Sequence, residues 1–274
     1  MNRLAEREII ENIKQGRCFS AVIDSGAFEI IIEEYVPVVA TAIHDGHRVS
    51  EPFAAKMKVS EDERRFEEDP YTGLIAETFS LSIKVLDSRY YYDLNRRPEG
   101  CVYDEAWGKQ VWQKTLSEVE QQQLRGLHAV YYRVFHTLLD QLENRFGRCV
   151  VYDLHSYNYS RINGSPPLFN VGTHFVDRDV YTPVLDNLIG ELQQIVLPES
   201  ETRAVCDDVF LGKGYQAEFM HRNHPGSLCI PLEIKKVFME EQSFELKEEV
   251  FGALRSGMKK ALSNNSTLFT KLSK

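Results

Sequence analysis

The chain has 274 residues, 43% hydrophobic and 27% charged, which is ordinary globular composition with ample material for a core. A formal net charge of −9 excludes the basic footprint that nucleic-acid phosphates require. No apolar run approaches the roughly 20 residues of a membrane span. The charged first eight residues lack a signal-peptide core, and five scattered cysteines without a CxxC pair fit reduced thiols in a cytoplasmic protein.

Residues 3–15 predict a short amphipathic helix with Leu4, Ile9, Ile10 and Ile13 along one side. Residues 20–23 and 28–32 read as strands around a Ser-Gly turn, and 36–43 as a central strand by its β-branched density. Residues 44–70 are polar and irregular, a long loop with a helical piece. A helix is predicted over 70–82, with Pro70 near its start and Leu74, Ile75 and Phe79 on the buried side. Strand material follows at 83–86 and 89–94, then a polar loop over 95–115. The clearest helix runs over 116–146 and stops at Gly147. After it come a strand at 149–154, a Ser/Asn/Gly/Pro-rich loop over 156–170 and a short strand at 169–172. A helix over 179–196, a polar stretch to Gly214, a strand at 228–234 and a final helix over 243–264 complete the chain. There is no repeat, low-complexity tract or linker. Strands alternating with helices predict a single α/β domain over 1–274, three-layered, with a mixed, mostly parallel sheet.

The segment Tyr152-Asp153-Leu154-His155-Ser156 is the most informative. An apolar strand runs straight into a histidine, which places an imidazole at the carboxyl edge of a sheet, where open α/β sheets bind ligands. Imidazole there is a metal ligand or a proton carrier. His44-Asp45-Gly46-His47 ends the 36–43 strand in the same manner, with Gly46 allowing a sharp turn beside a bound group. The plain alternative is a turn with surface histidines.

Glu67-Glu68-Asp69-Pro70 puts three carboxylates side by side, and their repulsion asks for a reason. One reason is the start of the predicted helix, whose N-terminus favours acids. Another is a metal carboxylate that completes a set with His44 and His155. Arg89 and Asp93-Leu94-Asn95-Arg96-Arg97 suit a grip on a carboxylate, an Arg fork plus an amide donor, with a surface ion-pair cluster with Asp87 and Asp93 as the alternative. Glu233 closes an apolar strand and needs a partner, either Lys235 or Lys236 or a proton-transfer task near a metal. His128 and His136 on the long helix read as structural. Residues 221–226 form a polar loop that reaches the site as a substrate-side wall, with Arg222 its best candidate. No P-loop, dinucleotide fingerprint, G-x-S-x-G elbow or HExxH motif is present.

In order, Ile43-His44-Asp45-Gly46, Glu68-Asp69-Pro70-Tyr71, the run 88–96, Asp153-Leu154-His155-Ser156 and Leu232-Glu233-Ile234-Lys235-Lys236 resemble the N-formylglutamate amidohydrolase family over roughly residues 36–240. Ile43 stands where that family usually has proline. The resemblance implies a zinc-carboxypeptidase-like fold and a zinc-dependent amidohydrolase acting on a small-molecule N-acyl amino acid such as N-formyl-L-glutamate. It implies His44, Asp69 and His155 as ligands of one Zn2+, with Glu67 and Glu68 as alternative carboxylates. It further implies Glu233 as general base, Arg89 as oxyanion cation, and Arg96 with Asn95 as the carboxylate grip. Two other expectations stay open: a related metallopeptidase acting on short peptides or peptidoglycan fragments, and a non-catalytic metal-binding protein.

Overall fold

The computed structural model describes residues 1–198 and 200–272. Its frame is a nine-stranded sheet. In chain order the strands are β1 (Asn2–Leu4), β2 (Phe19–Ile23), β3 (Phe28–Ile32), β4 (Val38–Ala42), β5 (Leu81–Val85), then a separate small hairpin of β6 (Glu105–Ala106) and β7 (Lys109–Gln110). They continue with β8 (Val150–Tyr157), β9 (Phe169–Val171), β10 (Ala204–Cys206) and β11 (Leu228–Lys235). The helices are α1 (Glu6–Lys14), α2 (Glu51–Ala54), α3 (Glu61–Glu67), α4 (Thr72–Ala76), α5 (Glu118–Phe146), α6 (Arg178–Gln193), α7 (Tyr215–Asn223) and α8 (Glu248–Lys271). The sheet order is β1-β2-β3-β5-β4-β8-β11-β9-β10. Its centre, β5-β4-β8-β11, is parallel throughout, and antiparallel pairs occur only at β2-β3, β3-β5 and β11-β9. This is the mixed, mostly parallel α/β sheet expected.

Two cores flank the sheet. Ile9 and Ile13 of α1 and Phe135, Leu138 and Leu142 of α5 pack on one face with Ile23, Ile30 and Val39. Val184 and Leu188 of α6 and Leu254, Met258 and Leu262 of α8 pack on the other with Tyr152, Leu154, Ile230 and Leu232. The result is three layers, because each helix has one apolar stripe and the central strands are apolar on both faces. α5 starts where its sequence signals it. Ser117 and Glu120 form a reciprocal capping box, and Gly147 (φ 81°) ends the helix.

Several expected elements differ. Residues 3–15 split into the edge strand β1 and helix α1. Residues 70–82 hold only the short α4 before β5 starts, because Leu81-Ser82-Ile83-Lys84-Val85 follows a two-residue period. Residues 89–94 are turns rather than a strand: Tyr90, Tyr91 and Tyr92 are wedged into the core, while Arg89 and Asp93 bond across the turn. The 95–115 loop contains the β6–β7 hairpin, the stretch before Gly214 contains β10, and α7 over residues 215–223 takes in the first half of the expected 221–226 loop.

Period-two alternation decides what the sheet presents. Along β8, Val150, Tyr152 and Leu154 face α6 and α8, while Val151 faces α5. By the pleat, Asp153 and His155 lie on Val151's face. In β11, Glu233 shares a face with Cys229 and pairs in register with His155. Both strands are therefore apolar at their beginnings and polar on that face at their carboxyl ends. Gly46, just past β4, is not among the residues with positive φ. A side chain is excluded there by close approach, since a Cβ would stand 2.2 Å from the Leu86 carbonyl carbon. Gly46→Ala is expected to lower stability by about 1–3 kcal/mol through backbone displacement, read as a lower urea midpoint.

Candidate active site

His44 follows β4 and His155 lies near the end of β8. Their ring centroids are 4.9 Å apart, and both side chains are almost fully buried. A carboxylate holds each ring at Nε2: Asp93 Oδ1 lies 2.8 Å from His44 and Asp153 Oδ2 lies 3.0 Å from His155. That leaves both Nδ1 atoms facing Asp69 Oδ2, at 3.4 Å from His44 and 3.1 Å from His155. His44 Nδ1 is buried and has no hydrogen-bond partner among the described residues.

One donor atom each from His44, Asp69 and His155 falls within 4.8 Å of the others. An orphaned imidazole nitrogen, a second imidazole and a carboxylate oxygen, with both far nitrogens held by aspartates, suit a divalent ion with an open position. Burial alone would raise the Asp69 pKa, but the His155 hydrogen bond and the close approach of His44 outweigh it and hold the group well below the usual carboxylate range. Burial likewise disfavours the His155 cation, yet the Asp153 charge and hydrogen bond keep its pKa well above the ordinary imidazole value.

The three neighbouring acids diverge. Glu67 is held in a fork by Arg161 at 2.7 and 2.9 Å. Glu68 meets His47 Nδ1 at 2.5 Å and accepts from the Ser88 hydroxyl. Only Asp69 reaches between the two rings. Its backbone N–H donates to the His44 carbonyl at 2.9 Å, which ties the acid to the histidine it faces. Glu67 and Glu68 end α3 instead of opening a helix, so helix-end electrostatics does not explain them. Lys236 does part of that work. Its buried ammonium donates to the Phe66 and Glu68 carbonyls at 3.0 and 2.7 Å, and burial lowers its pKa.

Glu233 lies beside this cluster, partly buried, with no hydrogen-bond or ion-pair partner among the described residues. Neither neighbouring lysine reaches it: Lys235 Nζ sits 4.6 Å from the Tyr159 ring centre, and Lys236 serves the carbonyls just named. Burial raises the Glu233 pKa to about 7, with the His155 charge pulling down and the Asp69 charge pushing up. Arg89 is engaged by Asp93 at 3.2 Å and by the Glu67 carbonyl at 3.2 Å, and its buried Nε has no partner. Burial would raise the Asp93 pKa, but the charges of Arg89 and His44 drive it far below the usual range. The Asn95 N–H caps Asp93 at 2.8 Å, while its own buried Oδ1 is unpartnered. No described carboxylate lies within ion-pair distance of Arg96. Of the ion-pair alternative, the Arg89–Asp93 pair is present but buried, and Asp87 pairs with Arg48 at 2.6 Å instead.

Arg89, Asn95, Arg96, His155 and Glu233 line both of two adjoining cavities, of 340 and 320 Å³. The first opens toward the 209–214 loop, and the second contains His44, Asp69, Glu67 and Lys236. Arg222 stands apart from both. It sits in the last turn of α7, 61% exposed and paired with Glu218 at 2.6 Å, since the helix runs into the expected 221–226 loop as far as Asn223. Residues not singled out in the sequence complete the walls. Trp107 lies at the β6–β7 turn with a left-handed backbone (φ 51°), and the Arg89 guanidinium carbon is 4.7 Å from its ring centre. A bulky residue at positive φ is costly and marks a place where position outweighs comfort. Its signal was present as Trp-Gly between two short polar runs. Arg161 carries no such signal, and Lys236 enters the sequence reading only as a partner for Glu233 and as part of the 232–236 motif.

The family profile for N-formylglutamate amidohydrolase matches residues 36–239. The chain belongs to that family. It is accordingly a hydrolase of the N-formylglutamate amidohydrolase type, acting on an amide bond. N-formylglutamate amidohydrolase from Ralstonia eutropha JMP134 is similar in structure, with TM-score 0.68, 18% identity, 89% of this chain and 97% of that chain covered. A gene product of Agrobacterium tumefaciens is also similar, with TM-score 0.62, 19% identity, and 87% and 95% covered. At such identity these two likenesses speak for the fold. No curated protein matches the sequence significantly.

In this family member a buried chain of donors leads to His155. Tyr131 donates to Gln216 at 2.6 Å, Gln216 to Thr41 at 2.8 Å, Thr41 to Asp153 Oδ1 at 2.9 Å, and Asp153 Oδ2 holds His155. Thr41→Val keeps the shape but leaves the Gln216 N–H and one Asp153 lone pair unmatched. It is expected to destabilise the fold by about 1–3 kcal/mol, measured by chemical denaturation against wild type.

Proposed function

We propose that this hydrolase is zinc-dependent and cleaves the acyl–amide bond of an N-formyl amino acid, N-formyl-L-glutamate first among them. One observation carries the reading: two buried imidazole Nδ1 atoms converge on one Asp69 oxygen while the unpartnered Glu233 carboxylate stands beside them. His44, Asp69 and His155 would hold the ion. When bound, zinc supplies Lewis acidity toward the acyl oxygen and makes water a competent nucleophile near neutral pH.

The chain's own residues supply the rest. Glu233 takes the proton from the attacking water and hands it to the amine nitrogen as the C–N bond breaks, giving formate and the free amino acid. Arg89, fixed by Asp93 and the Glu67 carbonyl, presents positive charge to the oxygen that becomes anionic. Arg96 lines both cavities with no ion-pair partner among the described residues, and Asn95 is the amide beside it, so together they bind the substrate carboxylate and set the scissile bond over Glu233. The cavities, of 340 and 320 Å³, suit a small molecule. Among the described residues no helix is long and apolar enough to cross a membrane. All five cysteines are free, which supports the cytoplasmic setting that belongs to this proposal.

Glu233→Gln is expected to retain stoichiometric zinc by metal analysis while turnover of N-formyl-L-glutamate falls by about 10²–10⁴-fold. Wild-type protein that carries no divalent metal, and gains no hydrolytic activity when one is supplied, would overturn the reading. Arg96→Ala is expected to raise KM by about ten- to hundred-fold, the worth of a charged hydrogen bond. A panel of formyl amino acids and short peptides checks the substrate class, and faster cleavage of peptides would reassign it. Asp153→Asn is expected to weaken zinc binding by about 10–100-fold while leaving the ligand set intact, as read in competition with a chelating dye.

A further inference from the structure

On α5, remote from the hydrolytic cluster in sequence and in its lining residues, His136 and Asp140 sit one turn apart. His224, which ends α7, meets them. Its side chain is fully buried, while those of His136 and Asp140 are 45% and 52% exposed. Glu143 Oε2 lies 3.0 Å from His224 Nδ1, and Glu143 Oε1 accepts from Ser227 Oγ at 2.6 Å. With both carboxylate oxygens engaged, Glu143 holds the His224 proton at Nδ1. The Nε2 lone pair then points outward at His136 Nδ1, 2.7 Å away. Phe219 walls the pair, with ring centres 5.9 Å from His136 and 6.2 Å from His224.

We infer that His136, Asp140 and His224 form a second metal site, for a borderline transition dication such as Zn2+, in which solvent completes the coordination. One donor atom from each residue already lies within 4.8 Å of the others. Metal–ligand bonds of about 2.0–2.2 Å place neighbouring donors roughly 3–3.5 Å apart. The 2.7 Å from His136 Nδ1 to His224 Nε2 falls just below that range, while Asp140 lies 3.7 Å from the other His136 nitrogen, Nε2, so its carboxylate must swing to the Nδ1 side, within the 4.8 Å spread of the three donors. Rotations of the two half-exposed side chains close the difference. The buried histidine does not need to move, because a carboxylate already orients it as metal-bound histidines are oriented. Two imidazoles and one carboxylate select Zn2+, Ni2+ or Cu2+ over Mg2+ and Ca2+. The ion would clip α7 to α5, and α7 carries Gln216, the residue that reaches Thr41.

The test is Zn2+ titration of metal-stripped full-length protein by calorimetry, for wild type, His136→Gln, Asp140→Ala and His155→Ala. Gln keeps a hydrogen bond to His224 and its position is half exposed, so His136→Gln is expected to fold and to keep wild-type turnover. It should lose one zinc equivalent, Asp140→Ala should bind that equivalent at least roughly tenfold more weakly, and His155→Ala should retain it. Zn2+ should also raise the Tm of His155→Ala and leave that of the His136→Gln/His155→Ala double variant unchanged. If His136→Gln binds zinc with wild-type stoichiometry and Kd, the site does not exist. If the hydrolytic cluster binds no zinc, wild type still exceeds His136→Gln by one equivalent, so failure of either proposal is distinguishable from failure of the other.

Discussion

Everything at the candidate site depends on two aspartates that each grip a histidine by its far nitrogen. Asp93 on His44 and Asp153 on His155 fix the ring orientations and leave the two Nδ1 atoms aimed at one oxygen. Removing a charged group from water costs several kcal/mol, which is recovered only when partners surround it closely. His44, His155, Asp69, Asp93 and Asp153 are all buried, so this cluster is tolerable only as a complete set. That requirement explains the second ring of contacts. Arg89 and the Asn95 N–H serve Asp93, Thr41 serves Asp153, Gln216 serves Thr41, and Tyr131 serves Gln216.

The parallel centre of the sheet makes such a set available. β4, β8 and β11 run in one direction and in register, so their carboxyl ends reach the same edge. The pleat then puts Asp153, His155 and Glu233 on one face, with Pro231 opposite Asp153 and Glu233 opposite His155. Strand geometry alone spaces these groups. The loops only have to bring Asp69 and Asp93 to them, and the Asp69 N–H bond to the His44 carbonyl and the Arg89–Asp93 bond do that locally.

This arrangement also says which parts of the molecule were legible in the sequence. Central strands with dense β-branched residues, and α5 with its Ser117–Glu120 box and Gly147 stop, carry their own local signals, and they were read correctly. The family and the mixed α/β sheet were read from the same segments. Where two periods competed, the reading failed. Leu74, Ile75 and Phe79 fit a helical stripe that the two-residue alternation of Leu81–Val85 overrides. Tyr90-Tyr91-Tyr92 has strand propensity, yet the ion pair between Arg89 and Asp93 holds it in turns. Convergence of His44, Asp69 and His155 was anticipated through ordered motifs, since no local rule links positions that far apart in sequence. Arg222 lies elsewhere than expected because the helix over residues 215–223 starts at Gly214 without a side-chain cap to signal it, and its Glu218 partner lies one turn back on α7.

The acidic triplet shows how local unfavourability is resolved by tertiary structure. Three successive carboxylates at the end of α3 repel one another and oppose the negative end of that helix. The backbone turns each into a different environment. Glu67 goes outward to Arg161, Glu68 sideways to His47 and Ser88, and Asp69 inward to the two imidazoles. Lys236 does not pair with any of the three side chains. Its ammonium holds the Phe66 and Glu68 carbonyls and so places positive charge beneath the turn that bends them apart. Lys236 thus adds positive charge at the helix end beside buried Arg64, which lies 3.9 Å from Glu68. The carbonyls that lead into the candidate metal carboxylate are therefore held by a residue distant in sequence, three positions after Glu233 and just past the end of the strand that carries it.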